Sequence, residues 1–240
     1  IFKLPLGVIG RGQIDLSTSV ENEWLCSKIL TAYGLRCAET EMSQFEDEKT
    51  LIVKRFDRRL SSDQSWWLRL PQEDMCQATG TSPDMKYESE GGPGTLPIMK
   101  FLLGSRTSFD DRTEFFKTHI LFWMLAAIDG HAKNFSIFIE PEGRFALTPA
   151  YDVLSAYPVM GHSTNKLPPE KVRMAMAVHR KNRHYRWQSI CARHWIHTAE
   201  LSGLDTNTAK EIMRELAENT SGVVDAVSAG LPGDVPDELA

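Results

Sequence analysis

The sequence predicts an α+β protein with two lobes, a small β-rich one followed by a larger, mainly helical one. Short runs of alternating apolar and strand-forming residues dominate up to Pro71 and predict strands around one helix. Beyond Pro71, apolar residues recur every three or four positions over long windows, which indicates helices. The length of 240 residues, 42% of them hydrophobic, allows a sizeable core. We therefore expect one lobe over residues 1–72 and the other over residues 73–240.

The small lobe is expected to begin with a strand and a helix. Residues 2–6 alternate and predict an edge strand that carries Lys3 on one face. Thr18 and Glu21 have the spacing of a capping box, and Gly34 supplies the stop of the helix that follows. The other strands predicted in this lobe lie at residues 36–44, 50–56 and 66–70.

The large lobe is expected to place a β-hairpin between helices. Two apolar runs, 135–139 and 144–147, flank the turn at residues 140–143 and predict the hairpin. The glycine-rich segment 88–94 predicts a loop that leads into a helix near Thr95. Apolar spacing predicts helices at residues 98–103, 115–128 and 208–218, and the tail after the last one is expected to be loosely held.

Composition excludes several classes of protein. The longest uninterrupted apolar run, Ile120–Ile128, has nine residues, whereas a membrane-spanning helix needs about 20, so we expect a soluble protein with no membrane partner. Four cysteines without a C-x-x-C pair or a histidine at ligand spacing argue against a zinc site and favour reduced thiols in the cytoplasm. The sequence begins at Ile1 without a leader pattern, so we expect that an upstream part is missing from it.

One window of the sequence is strongly basic, although the net charge of the whole chain is −5. Residues 171–198 hold seven Lys or Arg and no Asp or Glu, interleaved with aromatic residues, which is typical of a surface that contacts phosphates. The same pattern fits a helix pair in which Trp187 and Trp195 are buried and the cations face solvent. Both interpretations stay open at this point.

The most informative motif runs from Asp129 to Asn134, between an apolar helix and the hairpin, with Asp152 at the far end of the hairpin. A carboxylate, an amide five residues later and a second carboxylate 18 residues after that are how phosphoryl-transfer enzymes assemble a base and a magnesium site. Magnesium takes oxygen ligands and keeps several waters, so one carboxylate and one amide carbonyl suffice beside the phosphates of ATP. The other carboxylate must stay ionised to take the proton of an acceptor hydroxyl. A helix stop at Asp-Gly and a turn at Asn are the alternative explanation.

With these residues in place, the sequence resembles the HipA-type serine/threonine kinases of bacterial toxin–antitoxin modules. The resemblance runs from Phe2 to about Pro236. It implies a two-lobed, protein-kinase-like fold that transfers the γ-phosphoryl group of ATP, with Mg²⁺, to a protein serine or threonine. The segments that carry it are residues 16–23, 55–59, 68–77, 86–89, 91–94, 129–135 and 147–157.

The resemblance also implies roles for individual residues. Asp129 matches the catalytic base of the family, and Asn134 and Asp152 match its magnesium ligands. The glutamate that would hold the ATP-pairing strand lysine stays open between Glu21 and Glu23. The ATP contacts implied by the resemblance are that lysine, Lys3, the hinge residues Lys54 and Phe56, and Gln72, His131 and Tyr151.

For partners, the resemblance implies a DNA-binding antitoxin and, through that complex, operator DNA. It implies an aminoacyl-tRNA synthetase as the protein substrate, whose loss of activity would arrest translation. It also favours the phosphate-contacting interpretation of the basic window, with Arg180, Lys181 and Arg183 as the expected DNA or partner contacts.

One departure from the family pattern concerns the phosphates. Family members carry, upstream of the strand lysine, a small subdomain and a serine-bearing, glycine-containing loop that covers the phosphates, and this sequence does not include them. Residues 91–94 are no substitute, because they follow the lysine strand and Pro93 has no N–H to offer a phosphate. The chain alone is therefore expected to bind ATP weakly. A small-molecule or lipid kinase, and a non-catalytic scaffold that binds antitoxin and DNA, are the alternatives.

Overall fold

The computed structural model describes residues 1–10, 14–236 and 238–239. The described helices are α1 (Ser19–Ala32), α2 (Met75–Ala78), α3 (Thr95–Phe101), α4 (Ser108–Met124), α5 (Ala192–Ser202) and α6 (Thr206–Ala229). The described strands are β1 (Phe2–Lys3), β2 (Gly7–Ile9), β3 (Ile14–Leu16), β4 (Thr40–Phe45), β5 (Glu48–Val53), β6 (Arg58–Leu60), β7 (Trp67–Arg69), β8 (Gln72–Asp74), β9 (Ser136–Ile139), β10 (Phe145–Leu147), β11 (Arg173–His179) and β12 (Arg183–Arg186).

The N-terminal part is an antiparallel sheet in the order β1-β5-β4, packed against α1. The central strand β5 buries Leu51 and Val53, which pack with Val20 of α1 in a small core of their own. Register places Lys3 opposite Leu51, so the lysine lies where the sheet meets the helix. The predicted strand carrying Lys3 is confirmed for residues 2–3 only, and β2 pairs antiparallel with β3 in a separate two-stranded sheet that the sequence pattern did not reveal.

Helix α1 begins and ends where the sequence predicts, but not through the predicted capping box. Thr18 makes no side-chain capping bond. The Glu21 carboxylate accepts a hydrogen bond from Lys49 Nζ of β5 at 2.7 Å, which draws it away from the helix terminus. Gly34 takes a φ of +82°, a conformation that favours glycine and ends the helix. The capping-box prediction was therefore wrong because an ion pair with the sheet competes for the carboxylate.

The second sheet, in the order β10-β9-β8, holds the predicted hairpin β9–β10. Its third strand, β8, places Gln72 opposite Phe138 of β9. The strand predicted at residues 66–70 exists as β7, but it pairs with β6 in a separate two-stranded hairpin rather than joining the N-terminal sheet. Strand β8 thus places residue 72 beside the hairpin that follows the Asp129–Asn134 motif.

Helix α4 runs through the centre of the main core. Its residues Phe115, Phe116 and Leu121 are fully buried, and the core around them takes side chains from α3, α5, α6 and β11. The helix ends at Met124, earlier than predicted, because Ala126 adopts a φ of +48° and turns the chain toward the Asp129 motif.

All four cysteines are free, and burial raises the pKa of the Cys26 thiol to about 12.

The last helix is longer than the sequence predicts. Helix α6 has 24 residues and buries Ile212, Leu216 and Val223 along one face, so the chain is helical well past the predicted end at residue 218. The Asp205 carboxylate caps its first turn by accepting from the N–H groups of Asn207 at 3.1 Å and Thr208 at 3.0 Å. The expectation of a loosely held tail from residue 219 was wrong as far as Ala229.

The basic window is a hairpin followed by a helix, so the helix-pair interpretation was wrong for its first half. Strand β11 is buried from Met174 to Val178 and pairs with β12, leaving Arg180 and Lys181 on the exposed turn. Trp195 of α5 is buried, as the alternative interpretation expected.

Within the described residues, no helix is both long and apolar enough to cross a membrane.

Candidate active site

The loop from Asp129 to Asn134 is locked by its own backbone. His131 N donates to Asn134 Oδ1 at 3.1 Å, and Asn134 N donates to His131 O at 2.9 Å. Gly130 fits only without a side chain, because a Cβ there would lie 2.3 Å from Phe122 Cδ2. Asn134 is therefore buried in a fixed orientation, whereas the Asp129 side chain at the start of the loop is 64% exposed.

Asp152 is brought to this loop by contacts with the N-terminal part. Ala38 N donates to Ala150 O at 2.9 Å, and the Asn22 side chain pairs with both backbone groups of Ser155, at 2.8 and 2.9 Å. Asp152 itself has a φ of +58°, in the left-handed region that aspartate tolerates better than most residues. Its side chain points at Asn134, whose Nδ2 donates to Asp152 Oδ2 at 3.0 Å.

Lys3 joins the two carboxylates that flank this point. Its Nζ lies 2.7 Å from Glu23 Oε1 and 2.5 Å from Asp152 Oδ1. The structure thus resolves the choice that the sequence left open, because Glu23 contacts Lys3 whereas Glu21 contacts Lys49. A cavity of about 340 Å³ opens beside Lys3, Glu23 and Asp152 and leaves space for a ligand there.

The charges of this cluster reinforce one another. Burial lowers the pKa of Lys3, but the charges and hydrogen bonds of Glu23 and Asp152 outweigh it, so the pKa is raised on balance. Burial raises the pKa of Glu23, and Lys3 opposes that shift. Burial lowers the pKa of His131, which keeps the imidazole neutral at pH 7. Lys3 is therefore a fixed cation at a site of otherwise acidic groups.

The donor set at Asp152 and Asn134 suits magnesium. Asn134 Oδ1 accepts one hydrogen bond, from His131 N, and an amide oxygen has a second acceptor position. The Asp152 carboxylate already holds a cation, the Lys3 ammonium. Magnesium prefers oxygen ligands and keeps several waters, so one carboxylate and one amide oxygen are a suitable protein contribution.

The residues predicted for adenine contact fall into two groups. Phe56 packs against Phe138 and Tyr151 at ring-centroid distances of 5.7 and 5.6 Å, and Gln72 lies opposite Phe138 across the sheet. The Tyr151 hydroxyl donates to Lys133 O at 2.8 Å, and burial raises its pKa.

Lys54 belongs to the second group and stands apart from that aromatic cluster. Its side chain is 69% exposed and pairs with Glu39 at 2.8 Å. Its backbone N–H donates to Glu39 O at 2.9 Å. The structure therefore does not bring the Lys54 side chain to the site.

The basic window forms a depression of about 760 Å³ between the β11–β12 turn and α5. Among the described residues, Arg180, Lys181 and Arg193 line it without an ion-pair partner, and the rings of His184 and His194 stack at 4.1 Å. Arg183 is different, because its Nε lies 3.6 Å from the buried Glu88 carboxylate. The structure groups Arg180 with Lys181 and places Arg183 on the other side of the hairpin.

Two residues at the site, Glu23 and Tyr87, have no role that the sequence alone assigns. Glu23 lies two positions after Glu21 in the same helix, and only its contact with Lys3 distinguishes it. Tyr87 donates a hydrogen bond from its hydroxyl to Asp129 Oδ1. No local signal links positions 42 residues apart, so only the folded chain shows this contact.

One protein-family model matches most of this chain, and several curated proteins match more than half of it. The family model described as "HipA-like C-terminal domain" matches residues 1–224. The putative kinase Y4mE of Sinorhizobium fredii is 36% identical over 145 residues, covering 58% of this chain and 34% of the relative. The serine/threonine-protein kinase toxin HipA of Shewanella oneidensis is 28% identical over 147 residues, covering 57% and 34%. The matched part of the chain thus spans about a third of the length of these curated relatives.

Solved structures show the same fold. The HipA chain in the Shewanella oneidensis complex of HipA, HipB and operator DNA superposes with a TM-score of 0.79 at 23% identity, covering 92% of this chain and 52% of that one. The Helicobacter pylori proinflammatory kinase CtkA gives a TM-score of 0.52 at 12% identity, covering 95% and 88%. The predicted α+β, kinase-like fold is confirmed.

Proposed function

The chain belongs to the HipA-like C-terminal domain family, and we propose that it is the catalytic part of a toxin kinase that transfers the γ-phosphoryl group of Mg-bound ATP to a protein serine or threonine. The observation that carries the proposal is the Lys3 cluster. Lys3 bridges Glu23 and Asp152, and Asn134 contacts the same Asp152 carboxylate. A cation, two carboxylates and an amide thus converge, with Lys3, Glu23 and Asp152 lining a cavity, next to the loop that presents Asp129.

In this proposal each residue of the cluster has one task. Asp129 takes the proton of the acceptor hydroxyl as its oxygen bonds to the γ-phosphorus and the bond to the ADP oxygen breaks. Lys3, held by Glu23, pairs with the phosphates. Asn134 and Asp152 hold Mg²⁺, which neutralises charge on the transferring phosphoryl group when bound. The exposed position of Asp129 suits a base that must meet an acceptor on another protein.

The adenine of the nucleotide is proposed to lie beside the aromatic cluster of Phe56, Phe138 and Tyr151. Phe56, Gln72 and Tyr151 border the adenine position, and His131 lies beneath the phosphates as a neutral imidazole. Lys54 contributes its backbone carbonyl at the hinge, because its side chain and its N–H group are both engaged with Glu39. Residues 1–72 then serve as the small lobe and residues 73–240 as the large lobe, with the cleft between them.

The partners proposed are a DNA-binding antitoxin, operator DNA through that complex, and an aminoacyl-tRNA synthetase as substrate in the cytoplasm. The Shewanella oneidensis structure contains HipB and operator DNA, which supports the first two for this chain. The depression lined by Arg180, Lys181 and Arg193 offers cations that form no ion pair among the described residues, and Glu200, which also borders it, pairs with His197. The same cations favour the second candidate function, a non-catalytic scaffold that binds antitoxin and DNA.

Phosphoryl transfer by the Asp129→Asn variant of the full-length protein tests the proposal and separates the two candidates. Loss of a base of this kind costs roughly 10²–10⁴-fold in rate, and the exposed position of the side chain predicts an unchanged melting temperature. Asp225→Asn, at an exposed position on α6, is the matched control and should retain full activity. Transfer from labelled ATP at the wild-type rate in the folded Asp129 variant would remove the base assignment. A wild-type protein that binds antitoxin and DNA but transfers nothing would favour the scaffold.

A further inference from the structure

Tyr87 contacts the carboxylate that the proposed function uses as its base. The tyrosine hydroxyl donates a hydrogen bond to Asp129 Oδ1. Its ring also packs edge-on against His131, with centroids 5.2 Å apart and an interplanar angle of 80°. Without these contacts the Asp129 side chain, which is 64% exposed, would rotate in solvent. The tyrosine therefore determines which way the carboxylate faces.

The segment that carries Tyr87 is anchored on both sides of it. Before it, Lys86 O accepts a hydrogen bond from Ala132 N of the catalytic loop at 3.3 Å. After it, the buried Glu88 carboxylate accepts from Ala177 N at 2.7 Å. The Tyr87 carbonyl itself accepts from Gly92 N at 2.9 Å. These contacts join the segment to the loop and to β11, so that Tyr87 is held in place.

Close packing of two glycines makes this arrangement rigid. A Cβ on Gly92 would lie 2.2 Å from Met85 O, and a Cβ on Gly94 would lie 2.1 Å from Glu88 Cδ. The backbone of the turn is therefore closely packed against residues 85–88. This packing holds the backbone of Tyr87 in place beside the loop that carries Asp129.

The two carboxylate oxygens of Asp129 then have different environments. Oδ1 accepts the Tyr87 hydroxyl, whereas Oδ2 lies 3.8 Å from His131 Nε2, too far for a hydrogen bond. Oδ2 is thus the oxygen left to accept a proton. Burial raises the pKa of Tyr87, and the contact with Asp129 adds to this, so the phenol remains a donor through the neutral pH range.

We propose that Tyr87 is a positioning residue for phosphoryl transfer, which holds Asp129 by Oδ1 so that Oδ2 faces the acceptor hydroxyl. This inference rests on the proposed function, in which Asp129 is the base. It predicts that loss of the hydroxyl affects the chemical step and not nucleotide binding, because among the described contacts the hydroxyl reaches neither Lys3 nor the Asn134–Asp152 pair. The contact with His131, a proposed ATP contact, is made by the ring.

The test is the Tyr87→Phe variant of the full-length protein, which removes the hydroxyl and keeps the ring against His131. Removing a hydrogen bond to a charged group should lower kcat roughly 10–100-fold, while KM for ATP and the calorimetric Kd for Mg·ATP stay unchanged. In a chain already carrying Asp129→Asn, adding Tyr87→Phe should cause no further loss, because the two act as one unit. Tyr157→Phe is the matched control, since the Tyr157 hydroxyl donates to Met124 O at 2.9 Å in the same region but away from Asp129.

Several outcomes would overturn the inference. Unchanged kcat in Tyr87→Phe, with Asp129→Asn inactive, would overturn it while leaving the proposed function intact. A loss of Mg·ATP affinity as large as the loss of kcat would mean that the hydroxyl is structural. A higher kcat would mean that the hydroxyl occupies the place of the acceptor and obstructs it. Absence of transfer by the wild-type protein would instead remove the proposed function itself.

Discussion

His119 should make the stability of this protein fall steeply in mild acid. The residue lies on α4, is buried, and packs edge-on against Trp195 with ring centroids 5.0 Å apart. Its Nδ1 is 3.2 Å from Thr95 Oγ1, whose hydroxyl donates to Ala177 O at 2.8 Å. Because the Thr95 hydroxyl hydrogen is already donated to Ala177 O, His119 Nδ1 must donate its own hydrogen to Thr95 Oγ1. Burial lowers the pKa of the imidazole from 6.5 to about 4, with His179 adding to the shift, so the folded chain holds it neutral at pH 7.

The magnitude follows from the difference between the two states. Between pH 6.5 and 4 the imidazole takes up a proton in the unfolded chain and resists it in the folded chain. The unfolded state then binds more protons, so the free energy of unfolding decreases as the pH falls. Lowering the pKa from 6.5 to about 4, at about 1.4 kcal/mol for each tenfold change in proton affinity, gives a loss of about 3 kcal/mol from this residue over that range.

Urea unfolding of the wild type and of His119→Gln at pH 7.5, 6.5, 5.5 and about 4 measures this effect. Glutamine keeps a donor for Thr95 and does not titrate, so the variant should lose about 3 kcal/mol less than the wild type between the extremes. The quantity compared is the pH slope, which is independent of any constant loss of stability in the variant. His162→Gln, at an exposed position, should keep the wild-type slope. Parallel curves for the wild type and His119→Gln would refute the reasoning.

Two further predictions concern ligands. Asp152→Asn keeps a residue that tolerates the left-handed backbone and removes the charge, so calorimetry should show Mg·ATP affinity reduced at least about tenfold while adenosine binding is unchanged; equal losses would indicate misfolding. Replacing Arg180, Lys181 and Arg183 together by Gln should reduce the salt slope of operator binding by the antitoxin complex in a gel-shift titration, by about 0.9 for each phosphate that these cations neutralise. An unchanged slope would remove these residues from the DNA surface.

Much of the fold could be predicted from the sequence, namely those elements in which one local pattern dominates. The β9–β10 hairpin follows from two apolar runs around a turn, and the apolar spacing in α4 marks the central helix. The Asp129–Asn134 motif and Asp152 could be selected because their residue types and spacing match a chemistry. The hairpin returns the chain toward the loop, and contacts of residues 150–155 with the N-terminal part, which no local pattern shows, then bring Asp152 to it.

What could not be predicted depends on contacts between distant segments. Glu21 looked like a capping residue until Lys49 of β5 engaged it, and Glu23 differs from it only in facing Lys3. The alternation in β11 is hidden because all residues from Met174 to Val178 are buried, which erases the period of a half-buried strand. Tyr87 reaches Asp129 only through the tertiary fold.

The glycines of the 91–94 loop have a consequence for mutational tolerance. Loops rich in glycine are ordinarily the places where substitutions accumulate freely. Here Gly92 and Gly94 are enclosed, and even a methyl group would meet backbone or carboxylate atoms at about 2 Å. In a library of random substitutions, these two positions should be depleted as severely as the charged residues of the Lys3 cluster, although neither carries a functional group. The loop is therefore a vulnerable point of the protein, at which inactivation requires nothing more than the addition of volume.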